Sequence, residues 1–425
     1  MTTKRIELTS GVWLNMVQTD RFKTGCVSIN FLQPLSEKTA SLHALLPSVL
    51  LRGCRKYPDM RSISHRLDDL YGSSIGTLVR KKGEIHLFGL YADFLEDRYA
   101  EHEPIFAEMM EFLRQLFFEP CVEHGGFLED YVAGERQNLL NTIAARINDK
   151  RSYAVSRLLK HMCAGEAYSV TKLGEKEPLE TVTAKSLYAL WMEILETSPI
   201  ELFYLGQQPE AQVVAEMQKF VAFLPQRTKL CAPGTRVVIP DRPVNVIAEE
   251  LDVTQGKLSL GLRTPITVKD SRYPALMILN AVFGAGMTSK LFVKIREEQS
   301  LCYYASSSID KYKGIMAVSS GIEFDKYEVA KSGILEQLDL CKRGEITPEE
   351  LESARNYLIS ALRTNYDSPS QMDEFSIGQA VGGSAENIDD LIHALELVTM
   401  EQVIEAANTL VLDTVYFLKG VQNAC

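Results

Sequence analysis

The chain has 425 residues, 46% of them apolar, and a formal net charge of −11 at pH 7. That length and apolar share allow two or three packed domains and exclude global disorder. The acidic balance excludes a general nucleic-acid binder, which needs a basic face, and disfavours anionic membrane surfaces.

In chain order, RIELTSGVWLNMVQ and TGCVSINFLQPL read as strands, because apolar and polar residues alternate along them. SLHALLPSVLLRG follows, with Leu42, Leu45, Leu46, Val49 and Leu50 on one helical stripe, Gly53 as its stop and Pro47 in its middle. A helix over DMRSISHRLDDLYG, the strand pair SIGTLVRKKGEIHLFGLYADF, helices over EPIFAEMMEFLRQLFF, FLEDYVAGERQNLLNTIAARIND and 177–196, and the strand IELFYLG complete the first half.

The second half repeats that plan at an offset of roughly 230 residues, a domain-sized period that indicates duplication and not a solenoid. VNVIAEELDVTQGKLSLGLRT supplies two strands, ALMILNAVFGAGMTSKLFVKIRE helical material, and LCYYASSSIDKYKGIMAVSSGIEF a hairpin whose Lys313-Gly314 matches Lys82-Gly83. Helices over 325–343, 347–366 and 399–410 precede the last strand, TVYFLKG. Strands and helices come in blocks, so the expected fold class is α+β, each half an antiparallel sheet covered by helices. The expected domains are 1–223 and 244–425, with 224–243 as a Pro-rich and basic linker.

Eight cysteines, Cys26, Cys54, Cys121, Cys163, Cys231, Cys302, Cys341 and Cys425, form no C-x-x-C pair and read as free thiols. The opening MTTKRIELTSGVWLN carries no apolar signal segment, and no apolar run reaches membrane-spanning length. The expected setting is a reducing cytoplasm without membrane insertion.

Seven histidines, His43, His65, His86, His102, His124, His161 and His393, form neither H-E-x-x-H nor H-x-x-E-H, the spacings that put two nitrogens and a carboxylate on one helical face. His393-Ala-Leu-Glu396 lacks the second histidine, and GAGMTSK at 284–290 fails the spacing of a phosphate loop. More distinctive is LFVKIREEQSLCYYASSS, in which Arg296 ends a helix and Tyr303 opens a strand seven residues on. Their donors could converge on a carbonyl oxygen; a surface ion pair beside a core tyrosine is the alternative.

AVFGAGMTSKLFVKIREEQSLCYY resembles the C-terminal signature of the insulinase-like metallopeptidases, which include the mitochondrial processing peptidases. NFLQPLSEKTASLHALLPSVLLRGCRKYPD, LDDLYG and PIELFYLG stand in that family's order in the first half, so the resemblance covers nearly the whole chain. It implies two homologous α+β domains. It also implies that Ala44, Pro47 and Ser48 occupy the places of His, Glu and His in H-x-x-E-H, and that Asn141-Thr142 stands where the third ligand's acidic pair belongs. No catalytic residue, metal or cofactor is then expected in this chain alone. Arg296 and Tyr303 match the family's substrate-binding pair. The resemblance implies a non-catalytic subunit that binds peptide and forms a heterodimer with a zinc-bearing H-x-x-E-H homologue; a peptide-binding scaffold with no part in hydrolysis is the alternative.

Overall fold

The computed structural model describes residues 2–101, 103–227, 230–231 and 233–421; His102 and Cys425 lie outside the described residues. Two compact units form. One takes Met1–Ala144, Val170–Gly234 and Ser368–Val381, and the other takes Ala145–Ser169, Thr235–Asp367 and Gly382–Cys425. The halves read from sequence are contiguous, whereas each compact unit includes one helix from the other half of the chain.

In the first unit the strands are β1 (Thr2–Thr9), β2 (Val12–Gln18), β3 (Thr24–Pro34), β4 (Ser74–Lys82), β5 (Ile85–Leu95) and β6 (Ile200–Gly206), ordered β1-β2-β6-β3-β5-β4. Every neighbouring pair is antiparallel except β2 and β6. Alternation along β3 sends Val27, Ile29 and Phe31 into a core shared with Leu45, Leu46, Val49 and Trp191. Cys26, Ser28 and Asn30 take the opposite face and are also buried. Ser28 there donates to Asp373 at 2.5 Å, and Arg80 and Lys82 form ion pairs with Asp373 and Glu374.

The second unit repeats this topology. Its strands β7 (Asn245–Leu251), β8 (Gly256–Arg263), β9 (Cys302–Asp310), β10 (Ile315–Ile322) and β11 (Val411–Gly420) are ordered β9-β10-β8-β11-β7, with β7 and β11 the parallel pair. Strands β2, β6, β3, β5 and β4 thus recur as β7, β11, β8, β10 and β9. The matching turns at Gly83 and Gly314 have φ of +59° and +66°, which glycine adopts without strain.

The helices include α1 (Ala40–Leu50), α2 (Glu129–Ala145), α3 (Lys150–Met162), α4 (Tyr327–Lys342) and α5 (Pro369–Gly382), and all but α4 position groups that matter below. In the second unit, Ala154 and Leu158 of α3 pack with Ala317, Tyr416 and Leu418. The reading from sequence placed neither α3 nor α5. The material expected to be helical around 281–298 is helical, but as two π-helical segments, Ala281–Ala285 and Leu291–Glu298. No described helix is long and apolar enough to cross a membrane.

Candidate functional site

Helix α1 runs without interruption through Pro47, which has no N–H to offer the His43 carbonyl one turn earlier. His43 is buried, its ring stacked on Phe88 at 4.7 Å. Its Nδ1 lies 3.4 Å from His86 Nδ1, and His86 Nε2 lies 2.8 Å from the Lys172 carbonyl. His43 therefore belongs to a buried histidine pair that the sequence reading did not join.

Ala44 and Pro47 are buried and Ser48 is half-buried. On α2, Asn141 and Thr142 are exposed, and their side chains bond within the helix, Asn141 Oδ1 accepting from Gln137 and Thr142 Oγ1 donating to the Asn138 carbonyl. Zinc takes imidazole, thiolate or carboxylate ligands. Alanine and proline have no side-chain donor atom, and the remaining three positions offer only neutral oxygens and an amide, so these residues do not fit the ion. Arg52, just beyond α1, and Glu135 of α2 lie 3.4 Å apart as an ion pair. Among the described residues no group of three or more His, Cys, Asp or Glu could hold a metal. His393 and Glu396 lie 3.7 Å apart on an exposed helix face, and Lys290 of the glycine segment is buried in an ion pair with Glu350 at 2.8 Å.

Arg296 lies in the second π-helical segment, exposed, with its guanidinium 4.6 Å from the Phe292 ring centre and 3.4 Å from Glu297. Tyr303 sits at a β-bulge: Cys302 pairs with Ile322 and Tyr304 with Gly321, which leaves Tyr303 out of the ladder. A bulge of this kind re-aims side chains, and Tyr303 is 60% exposed. No hydrogen bond among the described residues joins Arg296 to Tyr303. Tyr303 is thus a surface residue, not the core tyrosine of the alternative reading.

Sequence reasoning passed over the neighbouring tyrosine. The Tyr304 ring lies across Gly321, where an added Cβ would come within 2.5 Å of it, and the Arg151 guanidinium sits 4.1 Å from the ring centre. The doubled tyrosine in LCYY was the available signal, but a bulge cannot be read from spacing alone.

The family model for the peptidase M16 inactive domain matches residues 181–358. Over 415 residues the chain is 34% identical to the probable inactive metalloprotease YmfF of Bacillus subtilis (strain 168), covering 97% of each chain. The chain belongs to the M16 peptidase family. The crystal structure of a conserved protein from Enterococcus faecalis V583 matches with a TM-score of 0.91 at 28% identity over 100% of both chains. The crystal structure of a peptidase M16 inactive domain from Pseudomonas fluorescens matches with a TM-score of 0.81 at 15% identity, over 99% of this chain and 98% of that one, a likeness of fold. The M16 assignment agrees with the insulinase-like motifs and with the repeated α+β architecture.

Proposed function

We propose that this M16 homologue is catalytically inactive by itself and serves as the substrate-binding subunit of a two-chain peptidase. Its partner is an H-x-x-E-H homologue that carries the zinc. In this reading the zinc site of the present chain has been lost at Ala44, Pro47, Ser48 and Asn141-Thr142. Arg296 offers a fork of donors to a peptide carbonyl, and the Tyr303 hydroxyl donates to an oxygen as it gains charge.

The observation that carries the reading is Tyr303 itself. A large aromatic side chain left 60% exposed by a bulge, seven residues from an exposed arginine, has no packing role that accounts for it. The test is to mix the purified chain with the H-x-x-E-H homologue of the same host and measure mass by light scattering after gel filtration. A one-to-one complex is expected. Two species that elute apart, each at its own mass, would overturn the proposal. A complex whose peptide cleavage ignores Arg296 and Tyr303 would support the scaffold reading instead.

A further inference from the structure

Beside the bulge, two cations meet over one aromatic ring. The guanidinium of Arg151 lies 4.1 Å from the centre of the Tyr304 ring, and Lys257 Nζ lies 5.7 Å from the same centre. Both have neutral partners: Arg151 donates to Ser306 Oγ at 2.9 Å, and Lys257 donates to Gln255 Oε1. Neither forms an ion pair among the described residues. Burial, and then the charge of Arg151, lower the pKa of the Lys257 ammonium. Two like charges held together without a counterion are destabilising, and the chain as a whole carries a net charge of −11.

Nearby polar groups are also left wanting. Ser259 Oγ is buried without a hydrogen-bond partner, and the buried Tyr304 hydroxyl has only the Ser319 side chain beside it. Ser259, Ser319 and Ser306 are register partners across β8, β10 and β9, one row along the sheet from Lys257, Gly321 and Tyr304. The nearby acid is Asp149, whose carboxylate accepts from the backbone N–H groups of Arg151 and Ser152 and from the Ser152 hydroxyl. Two cations and one committed carboxylate leave a single positive charge, which suits a monoanion better than a doubly charged phosphate.

We propose that Arg151, Lys257, Tyr304 and Ser306 form a subsite for one carboxylate, the C-terminal carboxylate of a bound peptide. A guanidinium matches a carboxylate through two parallel N–H bonds. Tyr304 follows Tyr303 directly: Tyr304 pairs with Gly321, and Tyr303 is the unpaired residue of the bulge beside it. A peptide held at Tyr303 therefore needs only a residue or two, about 3.3 Å each, to bring its terminus here. The assignment rests on the reading that Tyr303 contacts peptide.

The test uses the full chain and two pools of random hexapeptides labelled with fluorescein at the N-terminus, one with a free C-terminal carboxylate and one amidated. Fluorescence anisotropy should show the carboxylate pool binding about tenfold tighter, the scale of one charge-assisted hydrogen bond. Arg151→Gln and Lys257→Gln should each erase that difference and leave the amidated pool unchanged, while Arg151→Lys restores part of it. Tyr303→Phe should weaken both pools. Equal binding of the two pools, still sensitive to Tyr303→Phe, would overturn the subsite and spare the peptide reading. Failure of both pools to bind would overturn both. Displacement of the carboxylate pool by inorganic phosphate, but not by acetate at the same concentration, would overturn the assignment to a carboxylate.

Discussion

Lys313 and Glu166 form an ion pair at 2.6 Å in the second unit, joining the β9–β10 turn to the segment that follows α3. The first unit repeats the pair with Lys82 at the β4–β5 turn and Glu374 on α5. Both lysines are buried, at 1% and 3% exposure. In each unit the acid comes from the other half of the chain, so the duplication has kept a clamp as well as a strand order. A buried ammonium needs such a partner, because desolvation otherwise removes its charge or unfolds its surroundings.

The two clamps differ in depth. The Glu166 side chain is 16% exposed and also binds Arg263 at 2.7 Å, whereas the Glu374 side chain is 55% exposed. Lys313→Met should therefore cost about 3 kcal/mol, the lower end for breaking a buried pair. Lys82→Met should cost about 1 kcal/mol or less, because water takes over the exposed acid. Urea unfolding of both variants, with hydrogen exchange to separate the units, checks this. The reverse order of cost would contradict it.

The His43–His86 pair predicts how stability responds to acid. His86 Nε2–H donates to the Lys172 carbonyl, so His86 Nδ1 is bare and accepts from His43 Nδ1–H. A further proton would have no acceptor. Burial, and then the neighbouring ring, hold His43 well below 6.5, and burial lowers His86 to about 4 against the pull of the Lys172 carbonyl. Because the folded pKa values lie below the unfolded one, the unfolded chain takes up protons first. Stability is then complete above pH 6.5 and falls as pH drops toward 4, by on the order of 3 kcal/mol for His86. His86→Gln, which keeps a donor for Lys172 and cannot charge, should show a shallower fall in chemical denaturation between those pH values. An unchanged slope would contradict the assignment.

Much of this fold is legible in the chain itself. Alternation in TGCVSINFLQP and the matched Lys-Gly turns gave the strands and the repeat. The helical stripe through Leu42, Leu46 and Val49 gave α1. Helix α5, PSQMDEFSIGQAVG, was not found because it has no apolar stripe: it lies on a polar sheet face, held by Asp373 and Glu374. Helix α3 has a narrow stripe, Ala154, Leu158 and Met162, and its long-range packing in the second unit left no local trace. Arg296 and Tyr303 stood out by spacing, but the bulge, and with it Tyr304 and Arg151, depends on the register between β9 and β10.

Metal analysis of the purified chain should find no stoichiometric zinc, since the positions on α1 and α2 supply no ligand set. The combined variant Ala44→His, Pro47→Glu, Ser48→His and Thr142→Glu should gain one zinc per chain if the two helices still hold the family geometry. One zinc in the unaltered chain, lost on His43→Ala, would contradict this account.

The most direct test of the central claim is peptide cleavage by the chain reconstituted with the H-x-x-E-H homologue proposed as its partner, comparing Tyr303→Phe with the unaltered protein. Loss of an oxyanion donor should lower turnover by roughly 10²-fold. The melting temperature should stay within about 2 °C, because Tyr303 is exposed and packs against little. Arg296→Ala should weaken both substrate binding and rate, and Arg296→Lys should restore little, because a point charge cannot reproduce the planar fork. Full turnover by both the Tyr303→Phe and Arg296→Ala complexes would contradict the account.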